Sequence, residues 1–576
     1  MATLRISVLF TFLLFIGSLI AQNPLPIPSL LTGPEYDLIL QKGTKEFFSG
    51  IPTTTMGVNG DILGPTLVLN AGETVKLNVQ NNLGEPSTIH WHGLHVHPAN
   101  DGGPHTVIEN GTTWSPQFEV LDKAGTYWYH PHLHMKTAEH VTKGIAGFII
   151  VRDDEESKLL LPRTYGLDDI PLVIQSRAFD TNKQFLTLSA LDNTILVNCT
   201  IDPYVEVPAQ VVRLRLLNGS TERVYRFGFE GDHSFHLIGT DGGLLPSPVT
   251  MTRLNLSPGE RIEILVDLMG MENSSIFLKS FASELSNGTY GADNPSIMPM
   301  GSIQGYASNP LNGQDFEVLR LDIIQQTNFP VLQIPTTLVN DQPFVASQAN
   351  MTRSLTFQAA QMNMNTMVNG PFVINGSSFN LQTINYQIPI NNIEIWELTN
   401  MTAIAHPFHI HDVQFYILDI NGNPPPAHLS GRKDVVLVPP GNGTVRFIAQ
   451  FSDFSDPVIP YMYHCHMLSH EDAGMMGQFL VTGGTTSIQP GDEHTFQFFP
   501  NPTNDYLTVV LNSDIQGHIL LTDHLGRSVK GLSVKHIQGN TLLYDLRHLP
   551  TGAYWIQMAS DNGSVTTAKG FQIVRD

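Results

Sequence analysis

The chain has 576 residues, too many for one hydrophobic core, so several domains of roughly 100 to 200 residues are expected. Charged residues make up only 14% of the sequence, whereas 48 glycines and 38 prolines occur, which favours turn-rich all-β domains over long charged helices. The formal net charge of -22, without any cluster of Lys and Arg, argues against a nucleic-acid partner.

Residues 1–21 have the pattern of a signal peptide. Arg5 supplies a short positive region, residues 8–20 form an apolar stretch, and Ala21 is a small residue before Gln22. No later segment has the roughly 18 apolar residues that a membrane-spanning helix needs. The sequence therefore predicts a cleaved signal, rather than a retained anchor, and an exported protein without a membrane span.

An internal repeat follows, in which an Asn beside a turn residue precedes an alternating apolar strand that ends in another Asn. The three copies begin at Asn59, Asn198 and Asn375 and end at Asn81, Asn218 and Asn400. In copies one and three a histidine cluster opens 31 residues after the first Asn. The second copy has only His236 in the corresponding stretch, so we expect no metal site of its own there.

Strands of period two, separated by Gly, Pro and Asn turns, indicate three antiparallel β-sandwiches. Residues 255–267 and 435–451 are examples. A polar linker of flexible composition, residues 482–487, then introduces a fourth and smaller unit. The predicted domains are residues 22–153, 154–320, 321–485 and, for the linker and the last unit, 486–576.

Four clusters hold ten of the 23 histidines. On a β-strand, residues i and i+2 face the same way about 7 Å apart, so a His-x-His pair can present two imidazoles to neighbouring metals. One such pair alone is weak evidence, but four clusters in two of three repeat copies are not. The clusters are His90 and His92; His130 and His132; His406, His409 and His411; and His464, His466 and His470.

The last cluster also contains Cys465, between His464 and His466. Strand alternation places the two histidines on one face and Cys465 on the other, so one strand contacts two metal sites. Two His, one Cys thiolate and a weak axial Met are typical of blue copper, and Cys465, His470, Met475 and a histidine of another strand would complete that site. The other eight histidines are enough for three more copper ions with open positions, where dioxygen is the natural ligand.

With these motifs, the chain resembles the three-domain multicopper oxidases, the family of laccases and bacterial cuprous oxidases, over about residues 50–482. The resemblance implies three cupredoxin-like Greek-key β-sandwiches and four copper ions. It assigns His406, Cys465, His470 and Met475 to the type 1 copper and His90 and His409 to the type 2 copper. The type 3 pair would be held by His92, His130 and His466 on one ion and by His132, His411 and His464 on the other.

The resemblance also covers two carboxylates. Asp101 and Glu471 are similar to the acids that deliver protons to oxygen during its reduction, a task suited to carboxylates beside a hydrated metal. The alternative for each is a solvated loop acid. Cys465 would provide a short covalent path from the type 1 copper to the three-copper cluster.

Three further groups of residues match no ligand position. His95, His97, His105, His134 and His140 are expected to have surface or supporting roles. Met362, Met364 and Met367 form a short cluster for which ordinary packing or loop use is expected. Cys199 is expected to be a small buried residue.

From about Gln497 the chain resembles the C-terminal sorting domain of the type IX secretion system. Residues 499–504, 526–527, 549–555 and 571–574 carry this resemblance. It implies secretion machinery as a partner, export through the periplasm and a secreted or cell-surface location. The alternative is an accessory β-sandwich that binds carbohydrate or packs on the enzyme.

These observations predict a laccase-like enzyme that oxidises phenols or aromatic amines and reduces dioxygen to water. The first alternative is a cuprous oxidase that oxidises Cu(I) in copper detoxification. A non-catalytic copper-binding or storage protein is a weaker one. A two-domain nitrite reductase would lack the type 3 pair, and a scaffold that has lost copper would show ligand replacements, of which none is seen.

Overall fold

The computed structural model describes residues 23–298, 302–483 and, toward the C-terminus, 496–499, 503–511, 518–523, 527, 529–530, 533–538, 541–559 and 565–575. The predicted signal peptide and most of the predicted linker lie outside these residues, as do residues 500–502 and Gly526 of the sorting-domain motifs. The described residues up to Gly483 belong to one compact unit, and those from Phe496 onward belong to a second. No helix of the described residues is long and apolar enough to cross a membrane.

The first β-sandwich contains two sheets and two short helices, Pro98–Asp101 and Thr137–Lys143. In spatial order, the strands of one sheet are Leu30–Thr32, Thr66–Asn70, Gly147–Arg152, Gly125–His130 and His90–His92. Those of the other are Ile51–Val58, Glu35–Phe48, Thr74–Asn82 and Thr113–Trp114, with Gln117–Glu119 also paired to Thr74–Asn82.

The second β-sandwich includes the first strand of the described chain. In spatial order, the strands of one sheet are Asn23–Pro24, Pro203–Pro208, Asp315–Ile324, Ser275–Phe281, Tyr225–Phe229 and Leu254–Leu256. Those of the other are Phe185–Leu186, Asp169–Phe179, Val211–Asn218, Arg261–Asp267, Phe235–Thr240 and Gly243–Met251, with Thr194–Val197 also paired to Asp169–Phe179. Its 3-10 turns are Glu156–Lys158, Glu230–Asp232, Ala282–Glu284 and Tyr306–Ser308.

Two strands of this sandwich cross the predicted boundaries. Asn23 pairs with Pro203, so the first residues of the described chain join the middle sandwich rather than residues 22–153. Pro208 pairs with Ile324, so the last strand of the middle sandwich continues past residue 320. Both edges are fixed by hydrogen bonding between distant segments, which local patterns do not report.

The third β-sandwich contains two five-stranded sheets and the helices Thr366–Asn369 and Leu468–Asp472. In spatial order its strands are Phe372–Ile374, Met351–Ala359, Ile393–Asn400, Gly443–Gln450 and Tyr416–Ile420; and Tyr386–Pro389, Met476–Thr482, Tyr461–Cys465, His406–Ile410 and Val435–Val438. Its 3-10 turns are Ala346–Gln348 and Ala427–Leu429.

The second compact unit contains a four-stranded and a three-stranded sheet around a small apolar core. Leu507, Leu546 and Ile556 are fully buried in this core. The strands are Phe496–Phe499, Tyr506–Leu511, Thr541–Asp545 and Ser533–Gln538; and His518–Asp523, Gly552–Ala559 and Val565–Ile573. The prediction of an all-β protein with a small C-terminal β-sandwich is thereby confirmed.

The expectation of purely antiparallel sandwiches is wrong. Each of the three large sandwiches contains parallel strand pairs, such as Glu35–Phe48 with Thr74–Asn82, Asp169–Phe179 with Val211–Asn218, and Met351–Ala359 with Ile393–Asn400. In a Greek-key sandwich the chain leaves a sheet and returns to it later, so two strands of one sheet can run in the same direction.

The three copies of the repeat make the same pattern of hydrogen bonds. Asn59, Asn198 and Asn375 have φ values of 55°, 45° and 52°, in the left-handed region that Asn tolerates. Their side-chain oxygens accept hydrogen bonds from the backbone N–H groups of Ile39, Val173 and Thr356 at 2.6, 2.8 and 2.7 Å. Each Asn therefore fixes a tight turn against a neighbouring strand.

The Asn that closes each copy is buried and pins a loop. Asn218 donates to the carbonyls of Arg223 and Leu256 at 2.8 and 2.9 Å and accepts from the N–H of Ser220 at 3.0 Å. Asn81 and Asn400 make the equivalent three bonds. In copies one and three, the loop held in this way leads directly to the histidine cluster.

We expect Asn218→Ala to lower the free energy of unfolding of the first compact unit by about 3 kcal/mol, because it leaves two carbonyls and one N–H without partners in a buried position. Urea denaturation followed by circular dichroism measures the change. The matched control is Asn182→Ala, an exposed Asn, which should change stability by less than about 0.5 kcal/mol. Equal effects of both substitutions would contradict the role of Asn218.

Candidate metal centre

Strand register brings the histidine clusters together in pairs. His130 lies opposite His90 in the first sandwich, and His464 lies opposite His409 in the third. In the same register Cys465 lies opposite Phe408. Each pair is thereby fixed by backbone hydrogen bonds before any metal binds.

The histidines of the first and third sandwiches converge on one buried cluster. Nε2 of His132 lies 3.1 Å from Nε2 of His464, which joins the two sandwiches. The rings of His90 and His411 stack at 3.8 Å and those of His92 and His409 at 3.7 Å. Three groups of donor atoms within 4.8 Å of one another result: His90, His92 and His130; His90, His409 and His411; and His132, His411 and His464.

One of these groups coincides with a ligand set that the resemblance assigned, and the other two overlap with the assigned sets. His132, His411 and His464 are the expected ligands of one type 3 ion, and His90 and His409 those of the type 2 ion. The remaining expected set adds His466, whose ring centroid lies 5.0 Å from that of His92 and 5.5 Å from that of His130. We refer to the eight residues as the histidine cluster: His90, His92, His130, His132, His409, His411, His464 and His466.

Three imidazoles of the cluster are held through Nδ1 alone. Nδ1 of His90 and Nδ1 of His409 donate to the carbonyls of Asp101 and Asp434 at 2.9 and 2.8 Å, and Nδ1 of His411 donates to the Asp101 carboxylate at 2.8 Å. Within the described part of the chain, Nε2 of these three residues is buried without a hydrogen-bond partner. Such atoms are costly unless a further group satisfies them, so the cluster fits metal ions.

A second group of donors lies on the opposite face of the strand Tyr461–Cys465. Sγ of Cys465 is 3.5 Å from Nδ1 of His406 and 3.7 Å from Nδ1 of His470. Met475 is fully buried, and its carbonyl accepts a hydrogen bond from the Cys465 N–H at 3.0 Å. Soft sulfur with two imidazoles is a donor set suited to copper.

Burial controls the protonation of these ligands. Desolvation holds the pKa of His132 at about 4 and those of His466 and His470 at about 3, and it lowers the pKa of His406 well below its ordinary value. The rings are therefore neutral at physiological pH, and their lone pairs are available to a metal. Burial raises the pKa of the Cys465 thiol, so a metal must displace its proton.

The two predicted acids lie directly behind the cluster. The Asp101 carboxylate lies 2.8 Å from Nδ1 of His411, and the Glu471 carboxylate lies 3.4 Å from Nδ1 of His132 and 3.1 Å from Nδ1 of His464. Burial opposes ionisation of Glu471, but these imidazoles outweigh it and hold its pKa well below the ordinary value. Asp101 and Glu471 are only 2% and 1% exposed, so neither is a solvated loop acid; their proton role stays a prediction.

The remaining histidines bind protein groups. Nδ1 of His95 lies 2.6 Å from Asp122; burial lowers the pKa of His95, but Asp122 and Asp453 outweigh it and raise it to about 9. Nε2 of His105 contacts the side-chain oxygen of Gln478 at 2.7 Å, and Nδ1 of His140 contacts Ser87 at 3.1 Å. His97 and His134 likewise belong to none of the donor groups found among the described residues.

Sequence reasoning missed two residues that orient the ligands. Nε2 of His92 donates to the Asp434 carboxylate at 3.0 Å, and the Thr402 hydroxyl lies 2.9 Å from Nε2 of His406. Asp434 follows Arg432 and Lys433, so its sequence context is that of a charged segment and gives no sign that the carboxylate is fully buried. Nothing in the sequence singles out Thr402 either.

Two smaller predictions agree with the structure. Cys199 is buried as expected, and burial raises the pKa of its thiol to about 12. Packing or loop use is expected for the three methionines. Met362 and Met364, which are 62% and 53% exposed, lie in a loop before the helix Thr366–Asn369, and Met367 packs against the core.

Three profiles described as multicopper oxidase match residues 40–156, 204–291 and 348–485. The chain belongs to the multicopper oxidases. It is 33% identical over 456 residues to the multicopper oxidase mco of Staphylococcus haemolyticus, covering 78% of this chain and 88% of the relative. It is also 32% identical over 470 residues to the cell division protein FtsP of Xenorhabdus nematophila, covering 79% and 92%.

Solved structures give the same family. The structure of a bacterial laccase-like multicopper oxidase, CueO, from Ochrobactrum sp. superposes with a TM-score of 0.69 at 32% identity, covering 80% of this chain and all of that one. The multicopper oxidase is accordingly a cupredoxin-type, copper-dependent oxidoreductase that uses dioxygen as acceptor. A secretion system C-terminal sorting domain matches residues 497–571, which indicates export.

The pKa of His466 makes a prediction about acid stability of the copper-free protein. The pKa of His466 is about 6.5 in the unfolded chain and about 3 in the folded protein. As the pH falls, the unfolded state therefore takes up the proton first. Between pH 6 and 4, His466 should thus cost the folded state about 1.4 kcal/mol per pH unit.

We therefore expect His466→Phe to lose less stability than the parent protein over this pH range in urea titrations. His97→Gln, a substitution at a histidine that is 38% exposed, is the control and should leave the pH dependence unchanged. Parallel pH profiles for parent and His466→Phe would contradict the burial of a neutral imidazole.

Proposed function

We propose that the multicopper oxidase oxidises small phenols or aromatic amines one electron at a time and reduces dioxygen to water with four copper ions. Copper supplies the one-electron redox chemistry and the site of dioxygen reduction. In this proposal the ligands are those of the resemblance: His406, Cys465, His470 and Met475 for type 1; His90 and His409 for type 2; and His92, His130 and His466 with His132, His411 and His464 for type 3.

The observation that carries the choice of donor is a cavity beside His470. It has a volume of about 180 Å³, and His470 is the only partly exposed member of the His406, Cys465 and His470 group. Val368, Ile404 and Phe372 contribute apolar walls. Apolar cavities of roughly 150 Å³ bind benzene, so one substituted aromatic ring fits this space.

One carboxylate of the middle sandwich lines the same cavity. Glu222 is partly buried, which raises its pKa, and it accepts a hydrogen bond from Ser469, the residue before His470. A carboxylate at this position can accept the O–H or N–H hydrogen of a phenol or an aromatic amine. It would orient the ring toward His470 and take up the proton that the donor loses on oxidation.

The chain itself provides the connection between the two centres. Cys465 is covalently continuous with His464 and His466 in the histidine cluster, a path of a few bonds. On the far side, the carboxylates of Asp101 and Glu471 contact cluster imidazoles. We propose that these two acids pass protons to the oxygen being reduced.

The exposed Met362 and Met364 favour Cu(I) as a second candidate donor. Their thioethers reach solvent just before the helix Thr366–Asn369, whose Val368 and Asn369 line the cavity beside His470. Thioethers are soft ligands that select Cu(I).

A storage protein would bind copper at the same residues but would consume no oxygen.

We further propose that the signal peptide, residues 1–21, and the sorting domain together send the protein through the periplasm. The secretion machinery would bind the C-terminal unit and release the enzyme outside the cell or at its surface. There it would meet small reducing substrates and dioxygen.

Oxygen uptake by the copper-loaded protein tests the function. We expect uptake with 2,6-dimethoxyphenol, and we expect Cys465→Ser to reduce it by at least about 100-fold, since serine lacks the soft sulfur of the proposed type 1 ligand. Cys199→Ser replaces the other buried cysteine and should keep full activity. Full activity in Cys465→Ser would refute the electron path, and copper binding without oxygen uptake would identify a storage protein.

Glu222→Gln tests the donor site. We expect kcat/KM for the phenol to fall by roughly 10 to 100-fold, the value of one hydrogen bond to a charged acceptor, and its pH profile to change. Ferrocyanide, a one-electron donor without O–H or N–H groups, should be oxidised as before. Glu272→Gln alters an exposed acid of the same sandwich and is the control.

Faster oxidation of Cu(I) than of phenols would favour the second candidate.

A further inference from the structure

The middle sandwich supplies no imidazole to the histidine cluster, yet it contacts the cluster closely. Gly259 has a φ of 84°, and a Cβ at this position would lie 2.8 Å from Nε2 and Cδ2 of His466. Only glycine permits this backbone conformation and this approach without strain. The turn before the strand Arg261–Asp267 is therefore packed against a cluster ring.

Arg261, two residues later, is fully buried and binds groups from all three sandwiches. Its Nη1 and Nη2 each donate to one oxygen of the Asp434 carboxylate at 2.6 Å. Nε donates to the Thr126 carbonyl at 3.2 Å, and Nη2 also donates to the Asp241 carbonyl at 2.8 Å. The first sandwich provides Thr126, the second Asp241 and the third Asp434, so one guanidinium ties the three together.

Asp434 transmits this constraint to two cluster residues of different sandwiches. Its carboxylate accepts from Nε2 of His92 at 3.0 Å, and its backbone carbonyl accepts from Nδ1 of His409 at 2.8 Å. These bonds fix which ring nitrogen carries the proton and which faces the centre. Rotation of the Asp434 carboxylate would release His92, and a shift of the Asp434 backbone would release His409.

Lys433 could not replace Arg261 as the partner of the Asp434 carboxylate. It is buried beside Asp434 but binds Asp241 at 2.8 Å and Glu260 at 2.9 Å. Without the guanidinium, the Asp434 carboxylate would be a buried charge bound by the His92 N–H alone. Such a charge moves or draws in water, and either change alters the acceptor that His92 contacts.

We propose that Arg261 is a positioning residue for the histidine cluster: by clamping Asp434 it orients His92 and His409, so the cluster holds its copper only when the middle sandwich is docked. This inference rests on the proposed function in so far as the cluster binds copper. It gives the middle sandwich, which supplies no imidazole to the cluster, a role in copper binding, and Arg261 is the side chain that carries out this role.

The test compares Arg261→Lys and Arg261→Gln with Arg215→Lys. Arg215 is an equally buried arginine of the same sheet that binds Asp169 twice and also contacts Thr126, but it does not contact Asp434. The measurements are copper per chain, the blue absorption of the Cys465 site and the electron paramagnetic resonance signal of type 2 copper.

We expect both Arg261 variants to keep the blue absorption and to lose cluster copper, with affinity reduced by roughly 10 to 100-fold and the type 2 signal weakened or altered. Arg261→Lys should lose less copper than Arg261→Gln, since it keeps the charge but not the paired hydrogen bonds. Arg215→Lys should retain full copper and an unchanged signal even where its stability falls.

The inference is overturned if the Arg261 variants hold as much cluster copper as the parent with the same type 2 signal, or if Arg215→Lys loses copper equally. Should the Arg261 variants not fold, Asp434→Asn provides the second measurement. This variant keeps an acceptor for His92 and weakens only the pair of hydrogen bonds from Arg261. An unchanged type 2 signal in Asp434→Asn would also overturn the inference. A parent protein that binds no cluster copper would instead refute the proposed function.

Discussion

Successive side chains of the strand Tyr461–Cys465 and its continuation point to opposite faces of a sheet, and this period of two residues determines where both candidate sites lie. Because Cys465 faces the apolar core of the third sandwich, its sulfur meets His406 and His470 there. His464 and His466 must then face the first sandwich. A shift of pairing by one residue would exchange the two faces and separate every donor from its partners.

Burial of many neutral imidazoles is the second constraint. Several rings are anchored by one nitrogen on a carbonyl or carboxylate, while their other nitrogen has no hydrogen-bond partner among the described residues. His466 has no partner at either nitrogen. Desolvation suppresses protonation, so no proton competes with a metal ion at neutral pH. The fold thus stores a set of unsatisfied lone pairs, and the binding energy of the metal offsets the cost of burying them.

The donor residues that the structure brings together could be predicted from the sequence, because most lie in short motifs whose geometry the strand period fixes. Asp434 and Arg261 could not, since Asp434 contacts His92 across 342 residues and Arg261 contacts Asp434 across 173. Neither belongs to a local motif, and both types of residue are common at surfaces. The parallel strand pairs and the sandwich edges at Asn23 and Ile324 escaped for the same reason: they depend on which distant strands meet.

The middle copy of the repeat has no histidine cluster, yet its sandwich lies beside both groups of donors. In copies one and three, the loop pinned by Asn81 or Asn400 leads to imidazoles; in copy two the loop pinned by Asn218 leads instead to Glu222, beside the cavity at His470. The turn before the strand Arg261–Asp267 packs against the histidine cluster, and the first residue of that strand binds the carboxylate that anchors one of its rings. Two separate regions of the middle sandwich therefore contact the two groups of donors, because the loop and the strand leave its core in different places.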